Sequence, residues 1–364
     1  MRVLQLSKYY WPRSGGMERV VEGLAEGLAE RGHEAEVVAV TGFGDPRPGQ
    51  KRRASVTRAW SFAPVGSQEL APAYIAAAWR RADVIHLHQP HSLADVSYAL
   101  RPSLAPLVVT HHADYPSVMY KLPGWYSLKR AEAIVVPSTA HVALSKELKG
   151  FEHKIEIIPF GIDERRWEVV PPPPPGNPPH ALFIGQLVPF KGVDFLLRAV
   201  ELVPEMRLDI VGTGPELNRL RTLATALAIQ DRVKFWGEYP DEDLPRRMAD
   251  ADFLVLPSVT IDEMFGMVLL EAMAAGRPVI TTNVPSGVRE VNTHMETGLE
   301  VPMRDPVQLA GAMRTLAEDA ELRERLGATG RRRVKERFTI DRMTEAHLRL
   351  YERVRAPKRS GGAK

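Results

Sequence analysis

The densest chemistry in the chain lies in Glu263-Met264-Phe265-Gly266-Met267-Val268-Leu269-Leu270-Glu271. The run continues through Ala272-Met273-Ala274-Ala275 to Gly276-Arg277-Pro278. This pattern reads as a loop, a helix opening near Phe265 or Gly266 and stopping at Gly276, and a strand opened by Pro278. A helix start leaves backbone N–H groups unpaired at the positive end of its dipole, which suits an anion or a hydroxyl-rich ligand. Gly266 lets such a ligand come close to the backbone. Glu271 lies about 7.5 Å along the helix axis from Gly266, at about 1.5 Å per residue. Glu263 in the loop and Glu271 on the helix could then hold hydroxyls on two different sugar rings. The plainer alternative, open at this point, makes Glu271 a surface helix residue and Glu263 a helix cap.

The elements that must position these groups alternate along the chain. Short apolar runs at Val3 to Leu6, Ala35 to Val40, Asp83 to Leu87, Leu107 to Thr110 and Ala133 to Val136 read as strands. Between the first two, Val20, Val21, Leu24, Ala25 and Leu28 recur at helical spacing, and Gly32 closes that helix. The stretch Val169 to Pro179 contains the consecutive prolines Pro171 to Pro175, which lack donors and lock φ. It reads as a stiff interdomain linker spanning 169–179. The alternation then restarts with strands at Ala181 to Ile184, Arg207 to Val211 and Val233 to Trp236, and helices at Gly192 to Val200 and Glu216 to Ala228. Ala131-Glu132-Ala133-Ile134-Val135-Val136-Pro137-Ser138 is echoed by Ala251-Asp252-Phe253-Leu254-Val255-Leu256-Pro257-Ser258, which suggests two similar halves with the two stretches at corresponding places. The expectation is α/β: two facing Rossmann-like domains with parallel sheets and an interdomain cleft. Residues 1–168 form the N-terminal acceptor domain and 180–338 the C-terminal donor domain. Residues 339–364 form a terminal helix and tail that pack back on the first domain.

Bulk properties narrow the function classes. The chain has 364 residues, enough for two cores. Its 48 Lys and Arg against 45 Asp and Glu leave a formal charge of +3, too small to announce a nucleic-acid partner. No cysteine is present, which removes disulfides, thiol catalysis and thiolate metal sites. The start, Met1-Arg2-Val3-Leu4-Gln5-Leu6-Ser7, turns polar too early for a signal peptide, and no apolar run reaches the length of a membrane span. The expected location is the cytoplasm, with peripheral contact at the inner face of the plasma membrane. Basic clusters such as Lys51-Arg52-Arg53 and Arg80-Arg81 are a solvated face on the bland reading and contacts to an anionic membrane surface on the sharper one. A dehydrogenase is disfavoured, because Gly212-x-Gly214 is followed by Leu217 where a third glycine belongs. The histidines lack metal-ligand spacing, so no metal and no cofactor are expected.

Several ordered motifs together resemble glycosyltransferase family 4, whose members are retaining enzymes of the GT-B fold. The Glu263 to Glu271 segment with Gly276-Arg277-Pro278-Val279-Ile280 is the strongest. Tyr10-Trp11-Pro12 with Gly15-Gly16-Met17-Glu18 is similar to the family's glycine loop, and Thr110-His111-His112-Ala113-Asp114 to its histidine motif. Phe183-Ile184-Gly185-Gln186-Leu187-Val188-Pro189-Phe190-Lys191-Gly192 resembles its phosphate-binding segment, and Val211-Gly212-Thr213-Gly214-Pro215 the glycine turn after the next strand.

The resemblance implies roles for individual residues. The amides of Gly15 and Gly16 would meet the donor diphosphate, and Lys191 would supply a point charge to it and stabilise the leaving nucleotide. Glu263 would hold sugar hydroxyls, with the amides of Phe265, Gly266, Met267 and Val268 near sugar and phosphate. Glu271 would bind the ribose, and the base would lie near Trp236 to Tyr239. His111 would position and stabilise rather than act as general base; His112 and Asp114 would be structural or acceptor-side. One departure is Gln186, which stands where arginine is usual and brings no charge to the diphosphate; Lys8 and Arg13 are candidates to compensate. A second is Met295, where glycine is more usual.

The stretch Thr282 to Val288 is similar to a subgroup building cell-surface polysaccharides, which favours GDP-mannose as donor and a glycan or lipid-linked acceptor. A UDP-sugar-dependent member or a non-catalytic sugar-nucleotide-binding subunit are the alternatives. On the acceptor side, Tyr115, Tyr120, Trp125 and Tyr126 are interleaved with Lys121, Lys129 and Arg130, which suits either a membrane interface or a helix packed by its aromatics.

Overall fold

A computed structural model describes residues 1–11, 15–42, 52–65, 68–102, 105–115, 117–167 and 178–356. The chain divides into two compact units, Met1–Gly161 with Ile340–Lys364, and Ile162–Thr339.

In the first unit the strands are β1 (Arg2–Leu6), β2 (Glu34–Thr41), β3 (Ser55–Trp60), β4 (Ala63–Val65), β5 (Gln68–Leu70), β6 (Val84–Gln89), β7 (Leu107–His111), β8 (Ala133–Val136) and β9 (Ile155–Ile157). Seven of them form one sheet in the order β3-β2-β1-β6-β7-β8-β9, and β4 and β5 pair as a separate hairpin. Every pairing in the large sheet is parallel. All residues of β6, β7 and β8 are buried, as expected of a parallel sheet covered on both faces. The covering helices are α1 (Gly16–Glu30), α2 (Pro72–Ala78), α3 (Ser92–Ala99), α4 (Val118–Arg130) and the short α5 (Thr139–Leu144). Gly32 closes α1 with φ of +76°, in the left-handed region that favours glycine.

The second unit is built from β10 (His180–Ile184), β11 (Arg207–Val211), β12 (Val233–Gly237), β13 (Phe253–Leu256), β14 (Val279–Thr282) and β15 (Gly298–Val301). Their order, β12-β11-β10-β13-β14-β15, is the doubly wound order 3-2-1-4-5-6 of a dinucleotide-binding sheet. Its helices are α6 (Val193–Glu201), α7 (Leu217–Ala226), α8 (Leu244–Asp250), α9 (Met267–Ala274), α10 (Val288–Val291), α11 (Pro306–Glu318) and α12 (Ala320–Arg337).

The last helix, α13 (Ile340–Arg355), belongs to the first unit. It packs on α1, where Gly23 and Gly27 leave room: a Cβ on Gly27 would stand 2.3 Å from Thr344 Oγ1. Tyr351 reaches the sheet, its hydroxyl 2.6 Å from His86 Nδ1. The basic tail from Arg331 to Arg355 is thus split between α12 and α13, at Phe338 and Thr339.

Three sequence expectations need correction. The crossing between units falls at Gly161/Ile162, before the proline run. Trp167 and Pro178, which bracket that run, both belong to the second unit, and most of 169–179 lies outside the described residues. The two echoed stretches are not at corresponding places. Phe253–Leu256 is β13, directly beside the unit's first strand, whereas Ala133–Val136 is β8, two strands further out in its own sheet. Both are fully buried parallel strands, and that shared environment alone explains their shared apolar pattern. The edge strand β3, with a mostly half-buried side-chain pattern, was not anticipated.

Candidate active site

In the second unit the carboxyl ends of β10, β11 and β13 carry the motif residues. Loops after β10 and β11 lie almost in contact: a Cβ on Gly212, at φ of +134°, would sit 2.0 Å from the Gly185 carbonyl. Leu187 N also donates to Thr213 O at 2.8 Å. A bulkier residue at 212 would push these loops apart. Gly192 follows Lys191 with φ of +64°, and a Cβ there would clash with the Pro257 carbonyl at 2.2 Å. Val259 N donates to Phe190 O at 2.8 Å, so the lysine segment is tied to the strand end that leads to Glu263.

The tie brings the two charges together. Lys191 Nζ lies 2.5 Å from Glu263 Oε2, and Ser258 Oγ donates to the same oxygen at 2.8 Å. Glu263 is only 7% exposed, and its backbone carbonyl accepts from Ser286 Oγ at 2.6 Å. Both ends of the residue are therefore fixed. Its carboxylate is not a helix cap; α9 begins beyond Gly266 (φ +79°) with no side-chain cap. The first N–H groups of a helix have no intrahelical partner, so Met267 and Val268 offer donors there. A Cβ on Gly266 would meet Leu269 Cδ1 at 2.9 Å. Phe265 is buried edge-on against Phe338 and positions the turn. Glu271 is buried on α9, which sets aside its reading as a surface helix residue. Gln186 is exposed at the end of β10.

Trp236 and Tyr239, which the family resemblance would set near the base, meet edge to face with centroids 5.7 Å apart. Lys234 Nζ and the Arg247 guanidinium lie 3.4 and 3.9 Å from the Trp236 ring centre. These cation–π contacts, with the Arg247–Asp209 bond of 3.0 Å, hold the indole on the edge strand β12. Met295 has φ of +61°, a left-handed position where glycine would be unstrained.

In the first unit His111 ends β7 and is fully buried. Its Nδ1 is 2.8 Å from His141 Nε2, while its Nε2 faces Asp114 Oδ1 and Glu147 Oε2, each at 3.6 Å. Burial pushes His141 down to about 3, so that ring is neutral. Two carboxylates beside Nε2 favour a proton there, which leaves Nδ1 to accept from His141 Nε2–H. This tautomer follows from the network. In that tautomer Nε2 carries the donor hydrogen. Asp114 is held by Ser145 Oγ and by Lys146 N at 3.0 Å; Glu147 by Tyr115 N at 3.1 Å and Lys121 at 3.4 Å. His111, Asp114 and Glu147 have ligand-type atoms within 4.8 Å of one another, a grouping compatible with a cation although every carboxylate oxygen already faces a partner. Two Asp-x-Asp triplets, Asp241-Glu242-Asp243 and Asp250-Ala251-Asp252, form no such group among the described residues. Asp241 pairs with Arg166 and Asp252 accepts from His180 N.

His112 is 3.1 Å from His88 Nδ1 and stacks on Phe160, a structural placement. Tyr115 is likewise structural. It is buried, bonds Asp95 through its hydroxyl, and accepts from His91 N. Burial raises Asp95 to about 6. Gly15 caps α1 in extended conformation, and a Cβ there would meet Glu18 Oε2 at 2.3 Å. A diphosphate at Gly15 and Gly16 therefore requires Glu18 to turn aside. Lys8 lies 4.9 Å from the Tyr9 ring centre; Arg13 falls outside the described residues. Glu147, His141 and Ser258 were not singled out for chemistry by sequence, since each is recognisable as part of the site only by what it touches.

Residues 14–166 match the model described as Glycosyltransferase Family 4, and residues 166–333 match the one described as Glycosyl transferases group 1. The D-inositol 3-phosphate glycosyltransferase of Jonesia denitrificans is 30% identical over 77% of this chain and 69% of its own. The chain is a family 4 glycosyltransferase. The O-antigen chain mannosyltransferase C of Escherichia coli is 29% identical over 96% of this glycosyltransferase and 98% of its own length. Sucrose-phosphate synthase of Thermosynechococcus elongatus superposes with a TM-score of 0.82 at 24% identity, covering 97% of this glycosyltransferase and 98% of that chain, which gives the GT-B fold. The glycosyltransferase is a hexosyl-transferring enzyme of polysaccharide or glycolipid biosynthesis that uses a nucleotide-sugar donor and a glycan acceptor, so the non-catalytic alternative falls away. Among the described residues no helix is long and apolar enough to cross a membrane.

Proposed function

We propose that the enzyme transfers mannose from GDP-mannose, with retention, to a lipid-linked glycan. The observation that carries the donor half is the Lys191–Glu263–Ser258 cluster beside the uncapped start of α9. In this reading the donor diphosphate draws Lys191 away from Glu263, which then accepts from sugar hydroxyls. The amides of Gly266, Met267 and Val268 receive phosphate or sugar oxygens, Glu271 binds ribose, and Gly15 and Gly16 meet the diphosphate. Gln186 hydrogen-bonds to phosphate without adding charge. His111, with its proton on Nε2, positions the sugar and stabilises charge, while the departing phosphate takes the acceptor proton. No metal ion or cofactor enters this scheme. Mannose is supported by the O-antigen mannosyltransferase relative.

A thermal-shift screen with GDP-mannose, UDP-glucose and ADP-glucose tests the donor. A ligand at one hundred times its Kd stabilises the folded state by about 2.7 kcal/mol, so the responding nucleotide identifies itself. GDP-mannose is expected to raise Tm by several degrees; a response confined to UDP-glucose would move the assignment to the UDP-sugar alternative.

The acceptor half of the proposal places the first unit against an anionic membrane at the cytoplasmic face. Leu122 is 73% and Trp125 47% exposed on α4, Tyr126 is exposed beside them, and Leu100 follows α3, which packs on α4. Lys129 Nζ lies 5.0 Å from the Trp125 ring centre, so charge and aromatic surface are adjacent. In flotation with vesicles containing phosphatidylglycerol the protein is expected to rise with the lipid, and Trp125→Ser with Leu122→Ser to remain below. Recovery of the parent protein in the bottom fraction at every lipid composition would refute the membrane half.

A further inference from the structure

The donor segment occupies the start of α9; its far end opens on a cavity of different character. The turn Ala275–Pro278 follows α9, and α12 crosses it so closely that a Cβ on Gly327 would stand 2.1 Å from the Gly276 carbonyl. Between this turn, Asp252 at the foot of β13, and the first half of α12 lies a cavity of about 420 Å³. Arg277, Arg323 and Arg331 line it.

Arg277 is 6% exposed, yet its Nε and Nη2 have no hydrogen-bond partner. Burying guanidinium donors unpaired is costly, and such groups normally meet a carboxylate or phosphate. Burial lowers the Arg277 pKa, with Asp252 acting against that shift and Arg331 and Arg323 adding to it. The neighbouring groups are otherwise engaged. Arg331 Nε donates to Ala274 O at 3.1 Å, and Arg323 to Ala317 O at 2.9 Å. Asp252 accepts from His180 N at 2.8 Å and lies 3.7 Å from Arg323. Asp252 and Glu324 offset two of the three lining cations, leaving one positive charge in excess.

We propose that this cavity is a second binding site, separate from the donor segment, for a small molecule bearing one phosphoryl group, with Arg277 as its buried anion ligand. Arginine's fork of donors matches the oxygens of a phosphoryl group, and Arg323 and Arg331 flank it. One residual charge suits a single phosphoryl group rather than a polyphosphate. The volume lies near the lower end of the roughly 300–1,000 Å³ of small-molecule pockets, leaving room for a small polar body. The site opens at the amino ends of β13 and β14, whereas Ser258 and Glu263 follow the carboxyl end of β13. The proposal therefore stands apart from the donor assignment.

Inorganic phosphate is the probe, titrated calorimetrically into the full chain carrying Lys191→Ala, which removes the donor-site cation. One phosphate site is expected to remain, and Arg277→Met added to that background is expected to weaken it at least tenfold. Unchanged affinity in the double variant, or no phosphate binding by the Lys191→Ala protein, would overturn the proposal. Arg277→Met removes an unpaired buried charge, so its Tm without phosphate is expected at or above that of the parent. Should it fail to fold, Arg331→Gln serves as the reporter under the same tenfold criterion.

Discussion

Lys191→Ala is expected to lower kcat for sugar transfer about 10²- to 10³-fold, the range for removing one preorganised electrostatic contact to a developing negative charge. Lys191 is the cation placed against Glu263, and Gln186 upstream of it brings no charge to share its role. The substitution also leaves the Glu263 carboxylate buried with Ser258 Oγ as its remaining side-chain donor. The loss in turnover comes from the leaving diphosphate, which loses its counter-charge, while the unpaired carboxylate burdens the donor-free protein. Product formation at saturating donor reads the loss, with circular dichroism confirming that the variant is folded. Gln186→Arg, which adds charge at the exposed end of β10, is expected to preserve turnover. Parental turnover in Lys191→Ala would remove the phosphate-binding role from this segment.

Acid is expected to destabilise the first unit through its buried histidines. His88 Nε2 lies 3.0 Å from Gln5 Oε1 and its Nδ1 3.1 Å from His112 Nε2. His86 bonds Thr110 and Tyr351, and His347 on α13 lies 5.4 Å from His86, ring centre to ring centre. Burial pushes His88 from 6.5 down to about 3 and His347 to about 4, and drives His86 and His112 well below the usual range. A base with a depressed folded-state pKa is neutral in the native state, and the unfolded chain binds more protons. Its contribution is fully present above pH 6.5 and is lost as pH falls from 6.5 toward the folded value. Each such group adds a slope of about 1.4 kcal/mol per pH unit in that window. Denaturant midpoints should therefore fall steadily between pH 6.5 and 4. His347→Leu should flatten the slope by about one proton, because His347 Nε2 has no hydrogen-bond partner and its Nδ1 faces only the Met343 carbonyl of its own helix. An unchanged slope in that variant would show that His347 is not among the groups taking up protons.

What sequence could reveal depended on whether the determining contact was local. The run of buried parallel strands was legible because each is dominated by apolar residues, and Arg207–Val211 and Ala133–Val136 were read with their observed bounds. The start of α9 was legible from Gly266 and the apolar residues that follow it. The same criterion misled at the echoed stretches, since full burial produces one pattern at any central strand. β3 was missed because its half-buried polar residues Thr57 and Arg58 break the apolar run. The Lys191–Glu263 pair spans 72 residues and the His111–His141 pair 30, and no spacing rule links partners brought together by strand order. Tyr115, for which the sequence leaves an interfacial and a packed reading open, is buried: its hydroxyl bonds the Asp95 carboxylate, and Gly124, with no side chain, makes room for the ring.

The position of α13 bears on how the protein is made. The first unit consists of Met1–Gly161 and Ile340–Lys364, with the whole of the second unit between them. Synthesis runs from the N-terminus, so β1 to β9 leave the ribosome long before the helix that supplies Ile340, Met343 and Tyr351. Until then Gly23 and Gly27 on α1 face no partner helix, and His86 lacks the Tyr351 hydroxyl. The second unit, continuous in sequence, can close as soon as Thr339 has emerged. The nascent chain thus completes its later-encoded unit first, and the unit begun earliest waits, with the α1 groove open, for residues that follow the whole of the second unit.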